Sequence, residues 1–221
     1  MLNLLDGYIQ NSLPDWDNFS TNSNLCRKVD SGGHFLPFYG NTMVFLLDDK
    51  TRSKLLMLQN ELYNAEGGIL SDRLDASTFH MTLHDLINAP EQTNVLQSRM
   101  LETKEKVKVL AAQWRDNPPL RMRTTWLFNM VNTSVVLGLT PADEESWQRL
   151  DVMYMELEKV VPLGYGMTPH ITMAYFRPGV YSFEQYLPLK STLKPVEWNV
   201  EMKMDQLVYQ EFTDMNHYCN A

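Results

Sequence analysis

The chain has 221 residues, 44% of them hydrophobic and 21% charged, with a formal net charge of −8. That length suits one generous domain or two closely packed lobes around a real core, and the composition excludes wholesale disorder. The acidic balance, without any long basic run, argues against long nucleic acid as a partner, and no apolar stretch approaches the roughly 20 residues of a membrane helix.

The N-terminal residues Met1 to Ile9 carry no basic region and include Asp6, so they do not read as a signal peptide. Leu2, Leu5 and Ile9 give Met1 to Gln10 a helical spacing, and residues 11 to 24 are rich in Asn, Ser, Asp and Thr and read as loop. Together residues 1–27 form an expected N-terminal extension. Cys26 and Cys219 lie near opposite ends and read as free thiols of a protein in a reducing cytoplasm, with a bridge left without support. Lys28 to Thr42, with its Gly, Pro, Asn and aromatic residues, reads as an ordered loop, and Met43 to Leu47 as a short strand. Asp48-Asp49 starts a helix over about 50–64, with Leu55, Leu56, Leu58 and Leu62 in roughly helical spacing and Glu66-Gly67-Gly68 as its end. A strand over 78–86 and a helix over about 92–115 complete a first half, about 28–117, closed by Asn117-Pro118-Pro119.

The second half, about 118–195, opens with strands Leu120 to Met130 and Ser134 to Leu139, joined by Val131-Asn132-Thr133 as a hairpin. Thr140-Pro141 followed by acids reads as a helix start, with Thr140 as cap, and that helix runs to about 160. Gly164-Tyr165-Gly166 breaks it, a strand covers about 168–176, and Ser182 to Leu189 is a short helix. The tail, 196–221, is rich in strand, with Trp198, Val200, Met202 and Met204 alternating. This order predicts an α+β, bilobal fold: two small, mainly antiparallel sheets facing a central groove, helices outside, and a pseudo-two-fold repeat.

One pattern occurs twice, as His80-Met81-Thr82-Leu83 and His170-Ile171-Thr172-Met173. In a strand, residues two apart share a face. Each His and Thr therefore point one way and the apolar residues the other. Two such strands side by side gather two imidazoles and two hydroxyls around one small anion. The spacing of 90 positions matches one half-domain. Each motif is followed by charged or aromatic residues: Asp85 in one, Tyr175-Phe176-Arg177-Pro178 in the other.

At these motifs the chain resembles the two-histidine (2H) phosphoesterase superfamily of RNA ligase-like and cyclic phosphodiesterase-like proteins. Pro169 to Phe176 is especially similar to that family's second motif, and Lys28 to Thr42 resembles a bacterial and fungal branch of it. The resemblance spans about residues 28 to 213. It implies a bilobal α+β fold, no metal, no cofactor, and His80, His170, Thr82 and Thr172 around a phosphate. It leaves the ester open, because branches of the superfamily use different ones.

Opening or forming a phosphodiester needs a base, an acid and donors to the non-bridging oxygens. His80 and His170 match the first two tasks at neutral pH, and Thr82 and Thr172 the third. The expected activity is that of a metal-independent phosphodiesterase on a small cyclic or 2′-linked nucleotide ester. RNA end processing or ligation at the same site, and a non-catalytic nucleotide- or RNA-binding groove, are the alternatives. The expected partner is a small nucleotide or short oligonucleotide, with no membrane and a monomeric state.

Five further residues are candidates for substrate contact. His84 shares the face of His80 if the strand stays regular, with a structural or rim role as the competing reading. A metal held by His80 and His84 lacks an evident third ligand. Tyr39 and Asn41, in the aromatic loop, are candidates for base or sugar contact, with packing an equal explanation. Arg177 either pairs with a phosphate or sits solvated at the surface, and Tyr165 either stacks on a base or folds onto the core.

Overall fold

The computed structural model describes residues 12–65 and 67–221. The helical spacing at Met1 to Gln10 and the Glu66 of the first helix's end lie outside them. The strands are β1 (Phe19–Ser20), β2 (Tyr39–Leu46), β3 (His80–Ala89), β4 (Leu120–Met130), β5 (Ser134–Pro141), β6 (His170–Tyr175), β7 (Val180–Tyr181), β8 (Asn199–Met202), β9 (Leu207–Asp214) and β10 (His217–Asn220). The α-helices are α1 (Asp49–Ala65), α2 (Asn94–Trp114), α3 (Glu144–Glu158) and α4 (Phe183–Lys190). No helix among the described residues is long and apolar enough to cross a membrane.

Eight strands form one antiparallel sheet in the order β10-β9-β2-β3-β6-β5-β4-β8, and β1 pairs with β7 apart from it. The expected two small sheets are its two halves. β10-β9-β2-β3 makes the first lobe and β6-β5-β4-β8 the second. The halves meet at a single pairing, Met81 opposite Ile171, between the two motif strands. The chain leaves the second lobe after β8, and β9 and β10 return to the first.

Each helix forms where its sequence caps it and buries a stripe. The Asp48 carboxylate accepts from the Thr51 N–H at 2.6 Å, and Leu55, Leu58 and Leu62 bury one side of α1. Thr93 caps α2, which packs on β3, β9 and β2. The start of α3 departs from expectation. Thr140 and Pro141 are the end of β5, where Pro141 pairs with Met122, and Asp143 is the cap, accepting from the Ser146 N–H at 2.8 Å. A carboxylate three residues before a free N–H outcompetes a threonine whose backbone is already committed to the sheet. Buried methionines Met43, Met81, Met122, Met173 and Met202 fill the core between helices and sheet.

The β4–β5 hairpin closes on two left-handed residues, Val131 (φ 45°) and Asn132 (φ 60°), with the Thr133 N–H donating to the Met130 carbonyl at 3.0 Å. Two successive left-handed residues match the right-handed twist of the flanking strands. Asn132 tolerates it and is held by Asn129, at 2.7 and 3.0 Å. The Asn132 amide also donates to the Ser20 carbonyl at 3.0 Å, tying residues 20–22 to the hairpin tip. Val131 is β-branched, half exposed and not suited to φ > 0, which costs about 1–2 kcal/mol. Val131→Asn should therefore raise the urea unfolding midpoint, by the equivalent of about 0.5–1 kcal/mol. An unchanged or lower midpoint would show that no strain is stored there.

Candidate active site

The two motif strands are built alike beyond the four residues that define them. Along β3 the partners in β2 step from Met43 opposite His84 to Val44 opposite Thr82, leaving Leu83 as an extra residue. Along β6 the partners in β5 step from Val135 opposite Ala174 to Val136 opposite Thr172, leaving Met173 as the extra residue. Each motif therefore carries a β-bulge at its fourth position, and a bulge shifts every later side chain to the other face. The burial of the two strands agrees residue by residue: His half-buried, the next residue buried, Thr half-buried, then two buried residues. The sixth position returns to the groove as Asp85 on one strand and Tyr175 on the other.

The pairing of Met81 with Ile171 sets His80 across from Thr172 and Thr82 across from His170. All four side chains line one cavity of about 430 Å³, together with Asp85, Tyr154, Tyr165, Tyr175, Tyr218 and Lys28. Among the described residues neither Thr82 nor Thr172 spends its hydroxyl on an intramolecular hydrogen bond, so both are available to a ligand. Among the same residues no three His, Cys, Asp or Glu side chains converge as a metal site.

The histidines are oriented by carbonyls two residues before them. His170 Nδ1 lies 2.6 Å from the Thr168 carbonyl oxygen. A carbonyl only accepts, so Nδ1 carries the proton and Nε2 is left for the groove. The Thr78 carbonyl acts on His80 in the same sense. The repeat is thus Thr-x-His-x-Thr, Thr78 to Thr82 and Thr168 to Thr172. The leading threonine of each copy was legible in the sequence as part of the duplicated signal.

Loss of hydration is the main influence on both rings. It pushes His80 down to about 4 against the pull of the Asp85 carboxylate and the Thr78 carbonyl, and the neighbouring His170 adds to the lowering. His170 is lowered for the same first reason, opposed by the Thr168 carbonyl and by Asp85. Both imidazoles are therefore held toward the neutral form at pH 7. Tyr218, brought in by β10, stands edge-on to His80 with ring centroids 5.1 Å apart. Its hydroxyl is pushed well above the ordinary tyrosine value, chiefly by burial and then by Tyr175, Asp85 and Asp214.

The remaining candidates separate. His84 is turned inward by the bulge at Leu83. It is 1% exposed, hydrogen-bonded to the Asp85 carbonyl and 3.0 Å from Glu158, so it borders the cavity as a structural residue. The expectation that it shares the face of His80 fails because the strand is not regular. Glu158 also accepts from the Leu163 N–H at 3.0 Å, anchoring the loop that carries Tyr165. Tyr165 does line the cavity and is exposed.

Tyr39 and Asn41 belong to β2 rather than to a loop, and neither reaches the groove. Tyr39 lines a separate cavity beside α2, β9 and β10. Asn41 is 1% exposed. Its amide donates to Thr103 at 2.9 Å and Tyr209 at 2.8 Å, and its oxygen accepts from the Ile87 N–H at 2.8 Å. Ile87 sits where β3 slips a second time against β2, between the Gly40 and Thr42 pairings, so Asn41 is consumed by that irregularity. Arg177 lies outside the cavity lining, its stem against Gly33 and its N–H donating to the Ile69 carbonyl at 2.8 Å.

Solved structures share this fold. ATU0111, a conserved protein of Agrobacterium tumefaciens, aligns with a TM-score of 0.64 at 17% identity over 100% of this chain and 98% of its own. A phosphoesterase aligns at 0.53 and 12% identity, over 84% of this chain and 94% of its own. LigT of Escherichia coli, solved in apo form and with phosphate, aligns at 0.50 and 14% identity over 84% and 95%. No protein-family model and no curated protein matches the sequence.

The lowered histidines set a pH dependence of stability. A folded value below the unfolded one of about 6.5 means the unfolded chain binds more protons between the two. Stability from this source is present above about pH 6.5 and is lost as pH falls toward 4. Urea unfolding of the wild type and His80→Gln at pH 7, 6, 5 and 4 should show the wild type losing about 1–3 kcal/mol more than the variant. Equal losses would mean that His80 titrates normally in the folded protein.

Proposed function

We propose that this protein is a two-histidine phosphodiesterase that acts, without a metal, on a small cyclic or 2′-linked nucleotide ester. The observation that carries the reading is the repeated Thr-x-His-x-Thr strand with its bulge, which gathers two neutral imidazoles and two unspent hydroxyls at the base of one cavity. A fold shared with LigT, solved with phosphate, and with a phosphoesterase supports it. A cavity of about 430 Å³ accommodates a ligand of mononucleotide scale.

In the proposed reaction one histidine takes the proton of the attacking water through Nε2. The other, protonated, gives its Nε2 proton to the leaving ester oxygen as the P–O bond breaks. Their parts exchange with the orientation of the ester in the groove. Thr82 and Thr172 donate to the non-bridging oxygens, where charge builds in the transition state. Burial lowers both imidazoles, so in this reaction the protonated partner is the one that the bound phosphate charges. A phosphate anion beside a histidine favours its charged form and draws in a proton.

Hydrolysis of 2′,3′-cyclic nucleotides and of 2′,5′- and 3′,5′-linked short oligonucleotides, measured with a chelator present, tests the assignment. Activity on the first two classes is expected, and turnover only after one specific metal is added would sink it. His80→Ala and His170→Ala should each lose about 10²–10⁴ in kcat, and the double variant far less than the product. Thr82→Val or Thr172→Val should cost about tenfold or more, with Ser mild at both positions. A His170→Ala variant with near-full turnover would refute the pair.

Proton uptake has its own measurement. Sulfate does not titrate near neutrality, so any proton taken up when it binds comes to the protein. Its affinity should rise as pH falls from 8 to 6, and calorimetry in buffers of different ionisation enthalpy should register uptake that His80→Gln diminishes. Affinity independent of pH would mean that the histidines do not hold the anion.

A further inference from the structure

The two motif strands run antiparallel, so they leave the histidine–threonine square in opposite directions. Three residues past Thr82, β3 presents Asp85 to the groove. Three residues past Thr172, about 10 Å along the strand, β6 presents Tyr175. The same backbone position therefore carries a carboxylate at one end of the groove and an aromatic ring at the other.

Lys28 gathers at the aromatic end. Its ammonium lies 5.8 Å from the centre of the Tyr175 ring and 5.0 Å from that of Phe38. The Arg27 guanidinium stands 5.4 Å from the same Phe38 centre. Backbone bonds fix the segment: the Lys28 N–H donates to the Leu25 carbonyl at 2.8 Å, and the Leu36 N–H to the Lys28 carbonyl at 2.9 Å. Among the described residues neither cation forms an ion pair. In a chain of net charge −8, two adjacent cations meet at the Phe38 ring, and that ring lines the cavity. Among the described residues Lys28 is the only Lys or Arg that lines the cavity.

We propose that Lys28, supported by Arg27, is a subsite for a second phosphoryl group of the substrate, beyond the one held by the histidines and threonines. The substrate class is then a nucleotide ester with another phosphate on the same or the next nucleoside unit. This inference rests on the reading of the groove as a nucleotide phosphoester site. A carboxylate at the opposite end disfavours the same group there, so the ester lies one way round. Lys28 lies over two ring faces, which position its ammonium while leaving its protons for an anion. A phosphate meeting it gains charge-assisted hydrogen bonds.

The test is binding, so it needs no turnover. A nucleoside 3′-monophosphate and the 3′,5′-bisphosphate of the same nucleoside are titrated by calorimetry at low salt. The bisphosphate should bind about tenfold more tightly. Lys28→Met should bring the ratio close to one, Arg27→Met should reduce it in part, and Asp85→Asn should leave it standing. Raising the salt should shrink it. Circular dichroism and the melting temperature of each variant establish folding, and Lys28→Arg, which keeps the charge, should retain the preference. Equal affinity of the two ligands for the wild type, or a preference that survives Lys28→Met, overturns the second-phosphate subsite alone. Failure of both ligands to bind the wild type overturns the groove as a nucleotide site, and the subsite with it.

Discussion

The geometry of the groove depends on two bulges at the same position of two strands. A regular strand would carry His80, Thr82 and His84 on one face and hide Asp85. The extra residue at Leu83 ends that alternation, and Met173 does the same after Thr172. A bulge leaves backbone groups without ladder partners, and in a buried sheet each such group must be satisfied. Buried side chains do this at both sites. Gln59 on α1 donates to the Met173 carbonyl at 3.1 Å, and the Thr42 hydroxyl donates to the His84 carbonyl at 3.1 Å. The Asn41 oxygen serves the Ile87 N–H one slip further on. The bulges are thus built into the fold by named buried polar residues.

This accounts for what was legible in the sequence and what was not. Strand and helix order, the β4–β5 hairpin and the alternation of His and Thr follow from short-range patterns, and the elements appear within a few residues of where those patterns put them. His84 leaves the face that regular alternation gives it because alternation does not carry through a bulge, and a bulge has no marker here, since Leu83 and Met173 are ordinary strand residues. Contact and packing stay equal readings of Asn41 in the sequence because its partners, Thr103 and Tyr209, are 62 and 168 positions away. Tyr218 had no local signal, because β10 reaches the groove only by returning to the first lobe after the second is complete. Its packing against His80 is a consequence of sheet order. Thr78 and Thr168 are different: both stand two residues before a motif histidine, and the longer repeat was there to be read.

Electrostatics sharpen the same division. The chain is acidic as a whole, yet its groove holds two imidazoles that desolvation keeps neutral and one carboxylate that opposes that effect. Net charge describes the approach of long polymers, whereas the groove is governed by a handful of groups within a few ångströms. In the proposed reaction the proton for the leaving group costs least to add once the negative charge of the phosphate is beside the ring, against the burial that lowers both histidines.

The pseudo-two-fold arrangement by itself gives two equivalent orientations to any ester at its centre, because each histidine faces the other strand's threonine. The chemistry of acid and base is symmetric in the same way. A substrate with two different ends therefore needs a difference outside the square, and the nearest positions that can supply one are those just past the bulges. There the backbone repeats and the side chains do not: Asp85 on one strand, Tyr175 with Lys28 above it on the other. In the proposed reaction the replicated backbone would align the two histidine–threonine pairs on one phosphorus, and the unlike residues past the bulges would distinguish the two sides of that atom.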